Sequence, residues 1–299
     1  MTCRGFQFKE GETYHEDKAE LCKSGFHACL DPIDCLMYYE PNESIYHEVE
    51  LEDVDDKKEN DSKICGKTIK IGAKIDIAGI CKAHFEYVKT KIDKENEKST
   101  TGYGSANSAT GDRSANSATG DGSANSATGD GSANSATGDR SANSATGDGS
   151  ANSATGYGSA NSATGDRSAN SATGDRSANS ATGYGSANSA TGDGSANSAT
   201  GYGSANSATG YGSANISTGR NAKNEAANGS ISIGWGKDNI CKGDIGSYIV
   251  LIERGEWDGE KYPQIGEPKL GKIDGVTLKP DTWYKLKDGE FVEVEKGGI

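Results

Sequence analysis

Residues 110–127 read TGDRSANSATGDGSANSA, one nine-residue phrase written twice. Counted from Thr101 the unit is T-G-x-x-S-A-N-S-A, and thirteen copies run to Ser217 without insertion or deletion. In the first twelve only the third place (Asp or Tyr) and the fourth (Gly or Arg) vary. Arg113, Arg140, Arg167 and Arg176 each follow an Asp, as solvated neutral pairs would. A fixed period signals stacked repeats, but a Ser/Gly/Asn tract poor in oily residues is also the composition of a disordered linker. The decay of the repeat separates the two readings. In the worn copy TGRNAKNEA (218–226) the sixth and eighth places become Lys223 and Glu225, while the fifth and ninth are Ala222 and Ala226. In the following ANGSISIGW (227–235) the fifth, seventh and ninth places are Ile231, Ile233 and Trp235. Charge at even places and small or oily residues at odd places is the alternation of a strand with one wet and one dry face.

Carried back into the repeat, this code points Ser105, Asn107, Ala109, Ser114, Asn116, Ala118, Ser123, Asn125 and Ala127 inward, with Gly102, Gly111 and Gly120 at the corners. The expected fold is mainly β: a narrow β-solenoid with two repeats per coil, rising roughly 30 Å at about 4.8 Å per coil. Its small interior replaces bulk burial with close contact and stacked hydrogen bonds, so a buried Asn column requires each amide to bond the ones above and below. Open strand edges at both ends need stoppers. Ile80, Val88 and Ile92 are expected to cap the start, and Ile231, Ile233 and Trp235 the finish.

The flanking segments differ in composition. Residues 1–98 are mixed and charged, 99–226 hold the repeat, and 227–299 are rich in strand and turn signals. In the first, 44–52 and 67–77 alternate as strands, 31–39 opens with an Asp-Pro helix start, and 78–98 carries Ile80, His84, Tyr87, Val88 and Ile92 on one helical face. This is a small α+β domain whose last helix leads into the repeat; a β-rich domain follows it. The net charge of −13 opposes nucleic-acid and anionic-membrane partners. The seven cysteines, an odd number at irregular spacing, read as thiols of a reducing cytoplasm, since no signal peptide or long apolar run is present.

CKSGFHACLDPIDCLMYY (22–39) and GAKIDIAGICKAHFEYVK (72–89), with PDTWY (280–284), resemble an uncharacterised family of phage and gut-bacterial prophage proteins. Its members carry a GFHAC-type N-terminal domain, short Thr-Gly/Ser-Ala repeats and a strand-rich C-terminal tail. The resemblance implies this three-part layout and a further strand ahead of MTCRGFQF (1–8), and brings no known activity.

Cys22, His27, Cys29 and Cys35 form the densest set of metal-ligand types, but C-x4-H-x-C-x5-C matches no common zinc spacing. Buried thiols and a packed histidine are expected instead, with no cofactor and no catalytic Cys–His pair, because no orienting acid or oxyanion glycines are recognisable. Eight repeats carry Asp at the third place, yet Tyr replaces it freely and the Gly-Gly-x-Gly-x-Asp order of calcium rolls is missing. A threonine column raises ice binding as a lesser alternative. The expected protein is non-enzymatic, a stiff spacer between two terminal domains. Its partner would be a second copy, met through the C-terminal domain or the rod faces. The rivals are a host-protein-binding or anti-defence factor acting through residues 1–98, and a degenerate enzyme with a pocket around His27, Cys29 and His84.

Overall fold

The computed structural model describes residues 5–41, 44–55, 62–92, 97–227 and 229–294, with the backbone of residues 2 and 3. Its chain order is β1 (Thr2–Cys3), β2 (Phe6–Gln7), β3 (Thr13–His15), β4 (Phe26–Cys29), a 3-10 turn (Pro32–Asp34), α1 (Cys35–Tyr38), β5 (Tyr46–Val54), β6 (Lys63–Ile75) and α2 (Ile77–Lys91). The long β6 pairs antiparallel with β5 along one edge and with β3 and β4 along the other. Phe26, Ile69 and Ile71 form the apolar face of this sheet with Phe8, Tyr14, Val49 and Leu51. Asp31 starts the short helical turn by accepting the Ile33 N–H at 3.2 Å. Asp76 caps α2 by accepting the Gly79 N–H at 2.7 Å, and the helix stops where Ile92 turns extended.

From Glu97 to about residue 251 the chain winds about 9 turns of β-solenoid. The first strands are β7 (Glu97–Thr101), β8 (Ala106–Thr110) and β9 (Ala115–Thr119), and a strand recurs with every repeat thereafter. Alternate strands join alternate walls, so each residue pairs in parallel with the one eighteen ahead, Ala124 with Ala142 and Ala133 with Ala151. Two repeats therefore make one coil. One wall is an 11-stranded sheet beginning at β7; the other has 10 strands beginning at β8.

The inward code holds. Asn116, Asn125, Ala118, Ala127, Ser114 and Ser123 are buried, as are Asn107 and Ala109, with Ser105 half-buried in the first coil. Gly102, Gly111 and Gly120 sit at the corners with φ of +122°, +116° and +134°. A Cβ on Gly120 would lie 2.3 Å from the Gly102 carbonyl oxygen of the coil beneath, so from the second coil upward only glycine lets the corners stack. The fourth place takes the left-handed conformation whether it is glycine (Gly122, φ +72°) or arginine (Arg113, φ +58°). That corner angle suits glycine, while two of the arginines find partners beyond their own Asp: Arg167 at Asp34 and Arg176 over the Tyr157 ring.

The expected stoppers are elsewhere. Helix α2 does not cover the rod's open end; it lies along the flank of the 11-stranded wall. Ile80 packs with Ala169, Ala187 and Ala205, while Val88 and Ile92 pack with Ala133 and Ala151. The sixth-place alanines leave a groove on the wall wide enough for a helix, and burying its apolar face there outweighs covering one small end. At the rod's start Lys98, in register with Asn116, takes the ladder position and its ammonium donates to the Ser108 carbonyl. A charge pointed into an edge strand opposes edge-to-edge pairing.

At the finish, Ile231, Ile233 and Trp235 do not point inward. Ser230 follows Ser213 by seventeen residues, one short of the regular coil, and Ser232 takes the ladder place. A slip of one residue reverses every side chain. Ile231 and Ile233 face outward half-buried, Trp235 is exposed, and coiling continues through β22 (Ile231–Gly234), β23 (Ile240–Gly243) and β24 (Tyr248–Arg254). The plug is later still: Cys241, Ile249 and Leu251 close the interior with Ile273, Leu278, Tyr284 and Leu286. These come partly from β25 (Gln264–Lys272), β26 (Trp283–Lys287) and β27 (Glu290–Val294), with β25 and β26 joining the two walls antiparallel. Lys223 and Glu225 do lie at outward places. Lys223 is nonetheless covered, its ammonium 4.4 Å from the Trp283 ring centroid.

Candidate functional site

Two asparagine columns run the length of the rod, one on each wall. Asn134 Nδ2 donates to Asn152 Oδ1 of the next coil at 3.0 Å and to the Ser144 carbonyl of the facing wall at 2.7 Å. The pattern repeats from Asn107 to Asn215 on one wall and from Asn116 to Asn224 on the other. Each amide therefore ties three strands together, which is why a polar core is stable here. The polarity is uniform, and at the starting rim Asn116 Oδ1 is buried without a partner, where Lys98 replaces the rung that would have filled it.

The place-three aspartates act on the main chain. Asp148 Oδ1 accepts the Asp166 N–H at 2.8 Å, and all eight of these carboxylates bond the backbone one coil above. Sequence reasoning missed this role. Its signal was the constant eighteen-residue spacing of like corners.

In the N-terminal domain the metal-type residues do not converge. His27 accepts the Cys22 N–H at Nε2 (2.9 Å), and its Nδ1 lies 3.1 Å from the Gly25 carbonyl oxygen, so both ring nitrogens are engaged in a local turn. The Cys35 thiol is held below its ordinary pKa by its hydrogen bond with Cys29. Among the described residues, no group of three or more His, Cys, Asp or Glu could hold a metal ion. His84, fully buried on α2, bonds Asp31 at 2.6 Å through Nδ1, and its Nε2 has no partner.

A polar cleft of about 890 Å³ separates α2 from the rod corners, lined by Asp31, Asp34, Lys91, Arg113 and Arg167 among others. His27 and Cys29 do not line it. Burial pushes the Asp34 carboxyl above its ordinary value, against the Ser62 hydroxyl at 2.5 Å and Arg167 at 3.4 Å. Farther along the seam Glu40 accepts from Asn221 Nδ2 at 2.5 Å and from the Tyr202 hydroxyl, whose ring stacks on Tyr184 at 4.8 Å. These contacts clamp the domain to the rod's flank.

Residues 1–83 match a family model, a domain of unknown function (DUF7666). The match ends inside α2, so it takes in the N-terminal sheet and the half of the helix nearest to it, and leaves the rod outside. No curated protein and no solved structure matches the chain. Among the described residues no helix is long and apolar enough to cross a membrane.

The outer faces of the two walls differ. On the helix-covered wall the eighth-place column runs Ser207, Glu225, Lys242 toward the finish. On the open wall the same column runs Ser198, Ile216, Ile233, Val250. One wall turns charged as the repeat decays, and the other turns oily.

Proposed function

We propose that this chain is a non-enzymatic structural protein, a stiff rod that carries a small domain along one flank and offers its other wall for interaction. The observation that carries this reading is the eighteen-residue register that runs unbroken from Glu97 to Ala226, with an asparagine rung in every strand from Asn107 to Asn224. Because rungs are identical, stiffness comes from many small equal contacts, and no coil is a hinge. The flank position of the N-terminal domain replaces the end-to-end spacer expected from sequence. Small-angle X-ray scattering of the full chain tests it: one rigid elongated particle is expected, and a flexible-chain profile would refute it. The GFHAC-type signature at 22–39 supports a phage or prophage origin, and a gene neighbourhood without phage genes would count against that. Six described cysteines carry thiols and not disulfides, which favours a reducing compartment such as the cytoplasm.

A second reading draws on the polar cleft beside α2, where Asp31, Asp34, Asp112 and Asp130 face Lys91, Arg113 and Arg167: a binding protein acting through its N-terminal domain, for a ligand carrying both charges. A thermal-shift screen of small zwitterions tests it. Stabilisation lost in Arg113→Ala supports it, and no stabilising zwitterion counts against it.

A further inference from the structure

The outer face of the open wall is left bare by the described residues. Between Ala106 and Val250 its outward places hold Ala, Ser and Thr, then Ile216, Ile231, Ile233 and Tyr248, with no charged residue. Ile216 and Tyr248 are each 38% exposed. A shallow trough of about 660 Å³ follows its alanine column from Ala124 to Ala214. The opposite wall is an internal control, because the same alanine column there is filled by α2 and its decayed end is charged. Decay of the repeat alone has no reason to make one wall oily and the other ionic.

We infer that this face binds the same face of a second copy, with the two rods antiparallel; the inference rests on the rod reading above. Charge selects the occupant: a chain of net charge −13 repels itself except where it is neutral, and this wall carries no charge at its outward places from Ala106 to Val250, with Lys272 just beyond. Area agrees, since nine strands at about 4.8 Å and five residues at about 3.3 Å give roughly 700 Å² per copy, within the standard interface class. Size fixes the direction. A twofold axis along the central strand Ala178–Thr182 sets Ile231 over the partner's Ala124 and Ile233 over the partner's Ser126. It also sets Tyr248 over the partner's Ala106. Large side chains then enter the trough at both ends, whereas parallel rods would oppose Ile to Ile and splay.

The test is sedimentation velocity of the full chain with far-UV circular dichroism on the same samples. Twice the chain mass is expected, persisting at high salt. Ile216→Lys with Ile233→Lys should halve that mass and keep the β spectrum. Under oxidation Ser180→Cys should give a disulfide-linked dimer and Ser108→Cys should not, relative to the parent chain. A monomer at every concentration with an intact β spectrum overturns the dimer and leaves the rod; loss of the β spectrum in the parent chain overturns both. Equal cross-linking at positions 108 and 180 overturns the antiparallel arrangement.

Discussion

Replacing Asn161 with alanine removes one rung from the middle of the open wall's ladder. Asn161 accepts from Asn143 Nδ2 at 3.0 Å and donates to the Ser171 carbonyl at 2.7 Å and to Asn179 Oδ1 at 3.0 Å. Alanine strands three buried groups, each worth about 1–3 kcal/mol when left unpaired. The Asn143 amide loses least, because it also donates to the Ser153 carbonyl at 2.6 Å. The expected loss is therefore about 3–6 kcal/mol, a large part of the roughly 5–15 kcal/mol that holds a domain folded. Asn107→Ala is the comparison, because Asn107 sits in the first coil with only the Ser117 carbonyl and Asn125 Oδ1 as acceptors. Water reaches that rim, and about half the loss is expected. Urea unfolding followed by far-UV circular dichroism measures the totals, and native-state hydrogen exchange locates the loss among coils. An Asn161→Ala loss below about 1 kcal/mol, or one equal to that of Asn107→Ala, would refute the ladder as the source of stability.

Gly147→Ala should destabilise far more than Gly149→Ala, as read by melting temperature. The added Cβ at Gly147 lies 2.5 Å from the Gly129 carbonyl oxygen, whereas Gly149 has open space and a φ of +64° close to that of Arg140. Equal losses would mean the corners do not stack. Cys81 and Cys241, both pushed up to about 12 by burial, should resist alkylation until the chain unfolds, while exposed Cys22 reacts at once; native-state labelling of Cys241 at the rate of Cys22 would contradict the C-terminal plug. Asp274 accepts the N–H groups of Val276, Thr277 and Leu278, which hold its carboxyl down to about 2. Its charged form stabilises the turn above the ordinary range near about 3.9, and that contribution is lost as pH falls through about 2. A carbon-13 carboxyl titration with an ordinary midpoint would remove this acid-range component.

The repeat was legible because its wear left a readable code. Lys223 and Glu225 marked the outward places correctly, and from them the inward Ser, Asn and Ala columns followed. The same method failed in the next unit, where a one-residue deletion before Ser230 reversed Ile231 and Ile233. Aligning Ser230 with the fifth-place serines would have recovered the register. In α2 the apolar face was also legible, but its destination was not.

Local chemistry fixed the coil of this protein: nine residues with corner glycines and alternating small side chains have few other ways to satisfy their backbone. That information is carried in each repeat, so the sequence determines it alone. Where α2 lies, why Lys223 is covered, and which wall stays bare depend on residues far apart in the chain. Identical alanine columns exist on both walls, and only tertiary packing decides which one the helix fills. The difference between a charged wall and an oily one emerges only once alternate strands are sorted onto opposite sides.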